Sequence, residues 1–300
     1  MASITEEHRQ PRVAVVIVSY DVRDLLAGCL TSLDGQGESL EVVVVDNASR
    51  DGSAEMVAAD FPNASLIQNH ENRGFGAAAN QGIAATVAPY VLSLNPDTVL
   101  HPGAISGLIA YLDQHPEVGA VGPKILRQDG SLDLASRRSF PSPTVALLRL
   151  SLLSRLFPRS RRLARYNLTD RSPDVPQEID AGTGACLMFR RAALAQVGVY
   201  DDAFFMYGED LDLCFRLKEA GWKVMYWPAS VVVHYKGRSS RQRSSAMIRE
   251  FHRSMWIFFS KHYRRNTPAP VAALIYAGIE LRSTGLLLAN AVRRDKRVSR

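Results

Sequence analysis

The chain has 300 residues, enough to bury a sizeable core and to hold one large domain with an appendage. Its net charge of +6 favours anionic partners without choosing between nucleotide phosphates, nucleic acid and acidic lipid. Three widely spaced cysteines in apolar surroundings, Cys29, Cys186 and Cys214, argue against a disulfide framework and a structural zinc site, and they fit a reducing cytoplasm.

Residues 1 to 12 are polar and of mixed sign, lack the apolar stretch of a secretory signal, and read as a disordered lead-in. Val13 to Ser19 is a continuous β-branched run, the pattern of a strand covered on both faces of a parallel sheet. A helix over Asp24 to Leu33 follows, with Asp24 as its expected N-cap. Glu41 to Val45 predicts a second buried strand, ending at Asp46, and Ala54 to Asp60 a helix. A short strand at Ser65 to Gln68, the loop Asn69 to Gly76, a small-residue helix Ala77 to Thr86 and a strand Tyr90 to Leu94 complete a β-α alternation. Such an alternation predicts a doubly wound parallel sheet that binds ligands outside the carboxyl ends of its strands, where Asp46 and Asp97 fall.

Further along, Pro102 to His115 reads as a helix and Ala120 to Leu126 as a strand. Residues 127 to 178 form a basic, proline-punctuated insertion: no acidic residue occurs between Leu134 and Thr169, and the pattern suggests a mobile or surface-seeking segment. A strand at Ala185 to Phe189, helices at Arg191 to Val197 and Glu209 to Ala220, and strands at Lys223 to Tyr226 and Ser230 to His234 return to order. The first domain is thus expected over 13–246, and a helical, basic tail over 247–300. Glu280 and Arg282 interrupt the apolar stretch 270–292, leaving two uncharged runs short of the roughly 20 residues a span needs. An interfacial helix with basic anchors at Arg293, Arg294, Lys296, Arg297 and Arg300 is the expectation.

Four constellations could carry chemistry. Asp46 and Asp97, at strand ends, either cap turns or divide a nucleotide and a metal between them, since Mg²⁺ and Mn²⁺ bind through one or two carboxylates plus substrate phosphates. The loop Asn72-Arg73-Gly74-Phe75 precedes a helix whose N-terminus could face an anion. In Gly208-Glu209-Asp210-Leu211-Asp212, three carboxylates in four residues make either a solvated acidic helix start or a general base with neighbours that tune it. His234, at a strand end, is a structural residue or a second metal ligand.

In this order the motifs resemble the inverting family 2 glycosyltransferases of the GT-A fold, the rhamnosyltransferase-like members in particular. The likeness runs from Val13 to Tyr235 and is carried by Val16-Ile17-Val18-Ser19-Tyr20, Val45-Asp46-Asn47-Ala48-Ser49, Asn72-Arg73-Gly74-Phe75, Leu94-Asn95-Pro96-Asp97, Gly182-Thr183-Gly184-Ala185 and the stretch Gly208 to Leu217. The resemblance implies a mostly parallel central sheet flanked by helices, with Ser19, Tyr20, Asp46, Asn72, Arg73, Gly74 and Asn95 around the nucleotide. It further implies Asp97 and His234 on a divalent metal (Mg²⁺ or Mn²⁺), and Asp210 with Glu209 as the base. Asn95 departs from the acidic residue that the family places first in its metal motif, so Asp97 is the only carboxylate there.

The partners so implied are a nucleoside-diphosphate sugar, rhamnose being the leading guess, and a glycan or lipid-linked acceptor in cell-surface polysaccharide synthesis. The basic segments suggest peripheral binding to the anionic cytoplasmic face of the membrane, or a tail packed on its own domain or in a homodimer. Nucleic acid is not expected, because no recognition motif accompanies the charge. Two other readings are a sugar-phosphate nucleotidyltransferase, disfavoured by Ser19-Tyr20-Asp21-Val22 where a Gly-rich basic signature belongs, and a non-catalytic binding module, disfavoured by the intact acidic residues.

Overall fold

A computed structural model of the chain describes residues 10–142, 165–235 and 245–298, with side chains for all of these except 165 and 293–298. Among the described residues the strands are β1 Val13–Ser19, β2 Leu40–Asp46, β3 Ser65–Gln68, β4 Tyr90–Leu94, β5 Thr98–Leu100, β6 Val118–Arg127, β7 Gln177–Glu178, β8 Cys186–Arg190 and β9 Lys223–His234. The helices are α1 Arg23–Thr31, α2 Ser53–Asp60, α3 Phe75–Ala84, α4 Ala104–Gln114, α5 Arg191–Val197, α6 Glu209–Glu219, α7 Ser245–His262 and α8 Ala269–Val298.

The strands join one sheet in the order β3-β2-β1-β4-β8-β6-β9-β5, with β7 also on β9. All seven residues of β1 are buried, as a two-sided strand requires. Val13, Val15 and Ile17 point to one face, under α1, α2 and α4, whereas Ala14, Val16 and Val18 point to the other, under α3, α5 and α6. The small-residue composition of α3 has a steric cause, because a Cβ on Gly82 would stand 2.5 Å from Val16 Cγ1. The three cysteines are buried and free, and burial pushes the thiols of Cys29 and Cys214 up to about 12.

The parallel expectation holds for β3-β2-β1-β4 and for β6 on β9, but β8 runs antiparallel to both of its neighbours and β5 antiparallel to β9. A parallel return requires a crossover, and β8 is reached by a long excursion instead, so nothing constrains its sense. The strands expected at 223–226 and 230–234 are one strand, bulged beyond Trp227. Asp24 lies in the first turn of α1 and does not cap it; Val22 holds the N-cap position.

At its described ends, the insertion is less surface-seeking than its composition suggests. Arg137 is 2% exposed, donating to the carbonyls of Ser172 and Arg171, and Arg138 pairs across a β-bridge with Ala181. The arginines at 149, 155, 159, 161 and 162 lie outside the described residues, as do Lys236, Arg238, Arg241 and Arg243.

The tail is a helical hairpin. Ala272, Ile275 and Ile279 of α8 pack with Phe259 of α7, and Asn290 Nδ2 donates to Ser245 Oγ at 3.2 Å. The stretch Ala269–Val292 has a mean hydropathy of 1.4 and is long and apolar enough to cross a membrane by length and composition, despite Glu280 and Arg282. Leu274, Leu281 and Leu288, seven residues apart, are exposed on its outer face.

Candidate active site

The chain's chemistry gathers at one edge of the sheet. β1, β2 and β4 end there at Ser19, Asp46 and Leu94; β8 begins there, since Cys186 pairs with Leu94; and β9 ends there at His234, opposite Thr98 of β5.

At the end of β2, Asp46 is buried. Its Oδ2 accepts the Ser49 N–H at 3.0 Å, while Oδ1 has no partner among the described residues, as is also true of the buried Ser19 Oγ beside it. Buried carboxylate oxygens rarely stay unpaired, so the position fits an incoming N–H or O–H donor such as a base or ribose. Asn47 next to it organises the following loop. Its side chain accepts from Asn69 Nδ2 and from the Arg73 N–H, and donates to Asn72 Oδ1 and to the Gly74 carbonyl. Gly74 sits at φ +81°, where a Cβ would meet Phe205 O at 2.4 Å, so only glycine fits. The side chain of Arg73 is exposed, and Tyr20 lies at the rim.

After β4 the chain turns through Asn95, whose half-buried side chain leaves its backbone to bond the Ala185 carbonyl and the Thr98 hydroxyl. Asp97 then faces His234, with Oδ1 and Nε2 3.1 Å apart and exposures of 8% and 5%. The carboxylate oxygen suits Mn²⁺ or Mg²⁺, and the imidazole nitrogen beside it tilts the donor set toward Mn²⁺ over the harder Mg²⁺. Among the described residues no group of three or more His, Cys, Asp or Glu is arranged to hold an ion alone. A metal here would therefore need substrate oxygens to complete its shell. On its far side, His234 Nδ1 lies 3.5 Å from Oδ2 of the buried Asp133.

The third part is the N-terminus of α6. Asp210 Oδ2 accepts from Arg138 Nη2 at 2.6 Å and from the Gly184 N–H at 3.0 Å, and its Oδ1 from the Leu211 N–H at 2.7 Å. Burial opposes the charge of Arg138, but Asp210 outweighs it and keeps the guanidinium above its ordinary value. Glu209 is buried with Oε2 unpartnered; desolvation first, and the charge of Asp210 second, push it well above the usual carboxylate range. The loop Gly182 to Ala185 joins the two halves, since Ala185 holds Asn95 while Gly184 holds Asp210.

Asp212, the third carboxylate of the cluster, does not belong to this site. It is fully buried against Arg216 Nε at 2.8 Å, Lys261 Nζ at 2.8 Å and His262 Nε2 at 2.7 Å. Burial would raise it, but the bonds from His262 and Lys261 and the pairing with Arg216 hold it at about 2. Arg216 also donates to the carbonyls of Val197, Gly198 and Val199 beyond the end of α5. The sequence motif thus divides into Glu209 and Asp210 at the site and Asp212 and Arg216 as structural ties.

Arg138 and Asp133 were not singled out from the sequence, and the only available signal was the position of Asp133 at the edge of the acid-free stretch.

Likenesses to known proteins give the family and the fold. A family model described as glycosyl transferase family 2 matches residues 14–198. The N-acetylglucosaminyl-diphospho-decaprenol L-rhamnosyltransferase of Mycobacterium tuberculosis is 32% identical over 295 residues, covering 94% of this chain and 95% of that protein. The rhamnosyltransferase WbbL of Escherichia coli K12 is 24% identical over 79% of this chain and 88% of its own. Among solved structures, a mannosyltransferase from Pyrobaculum calidifontis in complex with GDP-Man and Mn²⁺ shares the fold with a TM-score of 0.57 at 19% identity, covering 97% of this chain and 76% of that one. On the family match and the extent of the mycobacterial likeness, this chain is a GT-A glycosyltransferase of family 2, of the rhamnosyltransferase-like kind.

Proposed function

We propose that the protein moves a sugar, rhamnose as first choice, from a nucleoside-diphosphate donor to a lipid-linked diphosphate glycan acceptor, with inversion, in cell-surface polysaccharide synthesis. The observation that carries this reading is the buried Asp97–His234 pair, set on the same sheet edge as the unpaired Asp46 Oδ1 and the Glu209–Asp210 pair. A lipid-diphosphate acceptor is favoured by the mycobacterial relative, whose name specifies a diphospho-decaprenol substrate.

Asp46 Oδ1 and Ser19 Oγ accept from the base or ribose, with Tyr20 and Asn95 at the rim. The Asn72-Arg73-Gly74 loop, fixed by Asn47, lies along the donor, and Arg73 supplies an exposed cation. Asp97 and His234 would hold a divalent metal, which when bound would neutralise the charge developing on the leaving diphosphate. Asp210 takes the acceptor proton through Oδ1, which has one donor and a lone pair to spare; its own charge is balanced by Arg138. Glu209 stands beside it as a second carboxyl group. One displacement on the face opposite the leaving group inverts the anomeric centre and needs no covalent intermediate.

The exposed leucines of α8 and the basic residues near its end support a reading in which the enzyme works at the cytoplasmic membrane surface, where a lipid-linked acceptor would reside. The test is transfer to a synthetic N-acetylglucosaminyl-diphospho-lipid from a panel of nucleotide sugars, with Mn²⁺ or with EDTA. One preferred donor, loss of transfer in EDTA and an inverted product by NMR are expected. Binding of no nucleotide sugar in the presence of metal would leave only a non-catalytic module, and full activity in EDTA would remove the role given to Asp97.

A further inference from the structure

We propose that Arg138 is a positioning residue that decides which of two adjoining carboxyl groups is the base, confining the negative charge to Asp210 and leaving Glu209 a neutral acid. The inference rests on the reading of this pair as the seat of the base. Glu209 and Asp210 stand side by side at the start of α6, each 7% exposed. Among the described residues, the cation recorded against them is Arg138, whose Nη2 lies 2.6 Å from Asp210 Oδ2.

The hydrogen-bond donors are divided unequally between the two. Asp210 takes three: Arg138 Nη2 and the Gly184 N–H on Oδ2, and the Leu211 N–H on Oδ1. The donor that reaches the Glu209 carboxyl is its own backbone N–H, and Oε2 is buried without a partner among the described residues. Bonds donated to a carboxylate favour its charged form, whereas burial without them favours the neutral acid. Ionising both groups would leave one buried charge with no cation of its own. Desolvation first, and the charge of Asp210 second, accordingly hold Glu209 above the usual carboxylate range. The other titratable groups facing the pair are Tyr200, Tyr207 and Cys214, and burial raises all three, so none brings a charge.

The backbone puts Arg138 in this place, 72 residues before its partner. Its N–H bonds the Ala181 carbonyl at 2.9 Å, and its own carbonyl accepts the N–H groups of Asp180 and Ala181 at 3.1 and 3.0 Å. The residue is thereby fixed to the chain that enters the Gly182 to Ala185 loop. From there the same Nη2 donates to the Gly182 carbonyl and to Asp210 Oδ2. With Oδ2 gripped by the guanidinium and by Gly184, Oδ1 keeps a lone pair for the acceptor proton, and Arg138 stays charged throughout.

The experiment is the pH profile of kcat for transfer to the synthetic N-acetylglucosaminyl-diphospho-lipid from the nucleotide sugar that the wild type prefers, with saturating Mn²⁺ at every pH. Wild type, Arg138→Gln, Arg138→Lys, Glu209→Gln and Asp210→Asn are compared. A base works only when ionised, so kcat falls on the acid side of its pKa. Arg138→Gln should move that acid limb up by about 1 to 3 pH units, the usual effect of an arginine on a neighbouring carboxylate, with the donor KM changed by less than about twofold. Arg138→Lys, which carries the charge on a shorter stem without the fork, should move it by about half as much. Glu209→Gln should leave the acid limb in place, because a neutral group has no charge to remove, and should keep at least about tenfold more activity than Asp210→Asn. An unmoved limb in folded Arg138→Gln would make Arg138 a structural tie and overturn the proposal while leaving Asp210 as the base. A limb that moves down in Glu209→Gln would show a charged Glu209, and a loss equal to that of Asp210→Asn a shared base; either also overturns it. If Asp210→Asn transfers as the wild type does, or the wild type transfers from none of the panel, the base reading fails and the proposal with it. Thermal midpoints identify a variant that does not fold; if Arg138→Gln is one, Arg138→Lys alone decides, and an unmoved limb in it counts against the proposal.

Discussion

Asp212→Asn separates the structural half of the acidic motif from its chemical half. Asp212 is fully buried among Arg216, Lys261 and His262 and is held at about 2 against an ordinary 3.8. That difference corresponds to about 2 to 3 kcal/mol favouring the charged form in the folded state. An amide of the same shape forfeits most of it and cannot balance the two flanking cations. At neutral pH the variant should therefore unfold with about 2 to 3 kcal/mol less stability in urea, or about 5 °C earlier. Because the folded-state value is depressed, the contribution is complete above about pH 4 and disappears as pH falls through about 2. The gap between wild type and variant should stay constant from pH 7 to pH 5 and then close on acidification. Under conditions where both are folded, transfer should change by less than about threefold. Equal stability, a gap that does not close, or a thousandfold loss of activity in folded protein would refute the assignment, the last by making Asp212 the base.

Other outcomes follow from the same geometry. Asp97→Asn and Asp210→Asn should each lower kcat/KM by about 100-fold or more while circular dichroism stays unchanged. Arg138→Met leaves Glu209 and Asp210 buried together without their cation, so a loss of about 3 to 5 kcal/mol in urea titration is expected; a near-neutral result would mean the pair is solvated. Gly74→Ala forces a Cβ to within 2.4 Å of the Phe205 carbonyl at positive φ, and should raise the donor KM and lower the thermal midpoint together. Leu281→Glu with Leu288→Glu should abolish flotation with anionic vesicles and leave the midpoint within about 1 °C, because both side chains are exposed.

The strands that carry the site were legible because β1 and β2 are β-branched runs and β4 is a fully buried, mostly apolar one, the patterns that covered strands leave. β5 and β7, of three and two residues, have no period to read, and the sense of β8 is a property of the path around it. Asp46, Asp97 and His234 were visible as carboxylate and imidazole at strand ends. Arg138 and Asp133 were not, because their partners lie 72 and about 100 residues away in sequence and no local pattern announces them. Glu209, Asp210 and Asp212 looked equivalent on paper. On a helix, two residues turn about 200°, which carries Asp212 away from Asp210 and into the contact with α7.

The contact between the glycine loop and the chain before α6 bears on how such enzymes can be recombined. Phe75 N–H bonds the Phe205 carbonyl, and the side chain of Asn80 both donates to the Tyr200 carbonyl and accepts from its N–H. On the proposed roles, the loop that lies along the donor and the segment leading to the base are thereby joined by backbone and side-chain hydrogen bonds. A chimaera that imports a relative's 69–84 segment without its 199–208 segment would place a foreign side chain against Phe205. Grafting the two together keeps the joint intact.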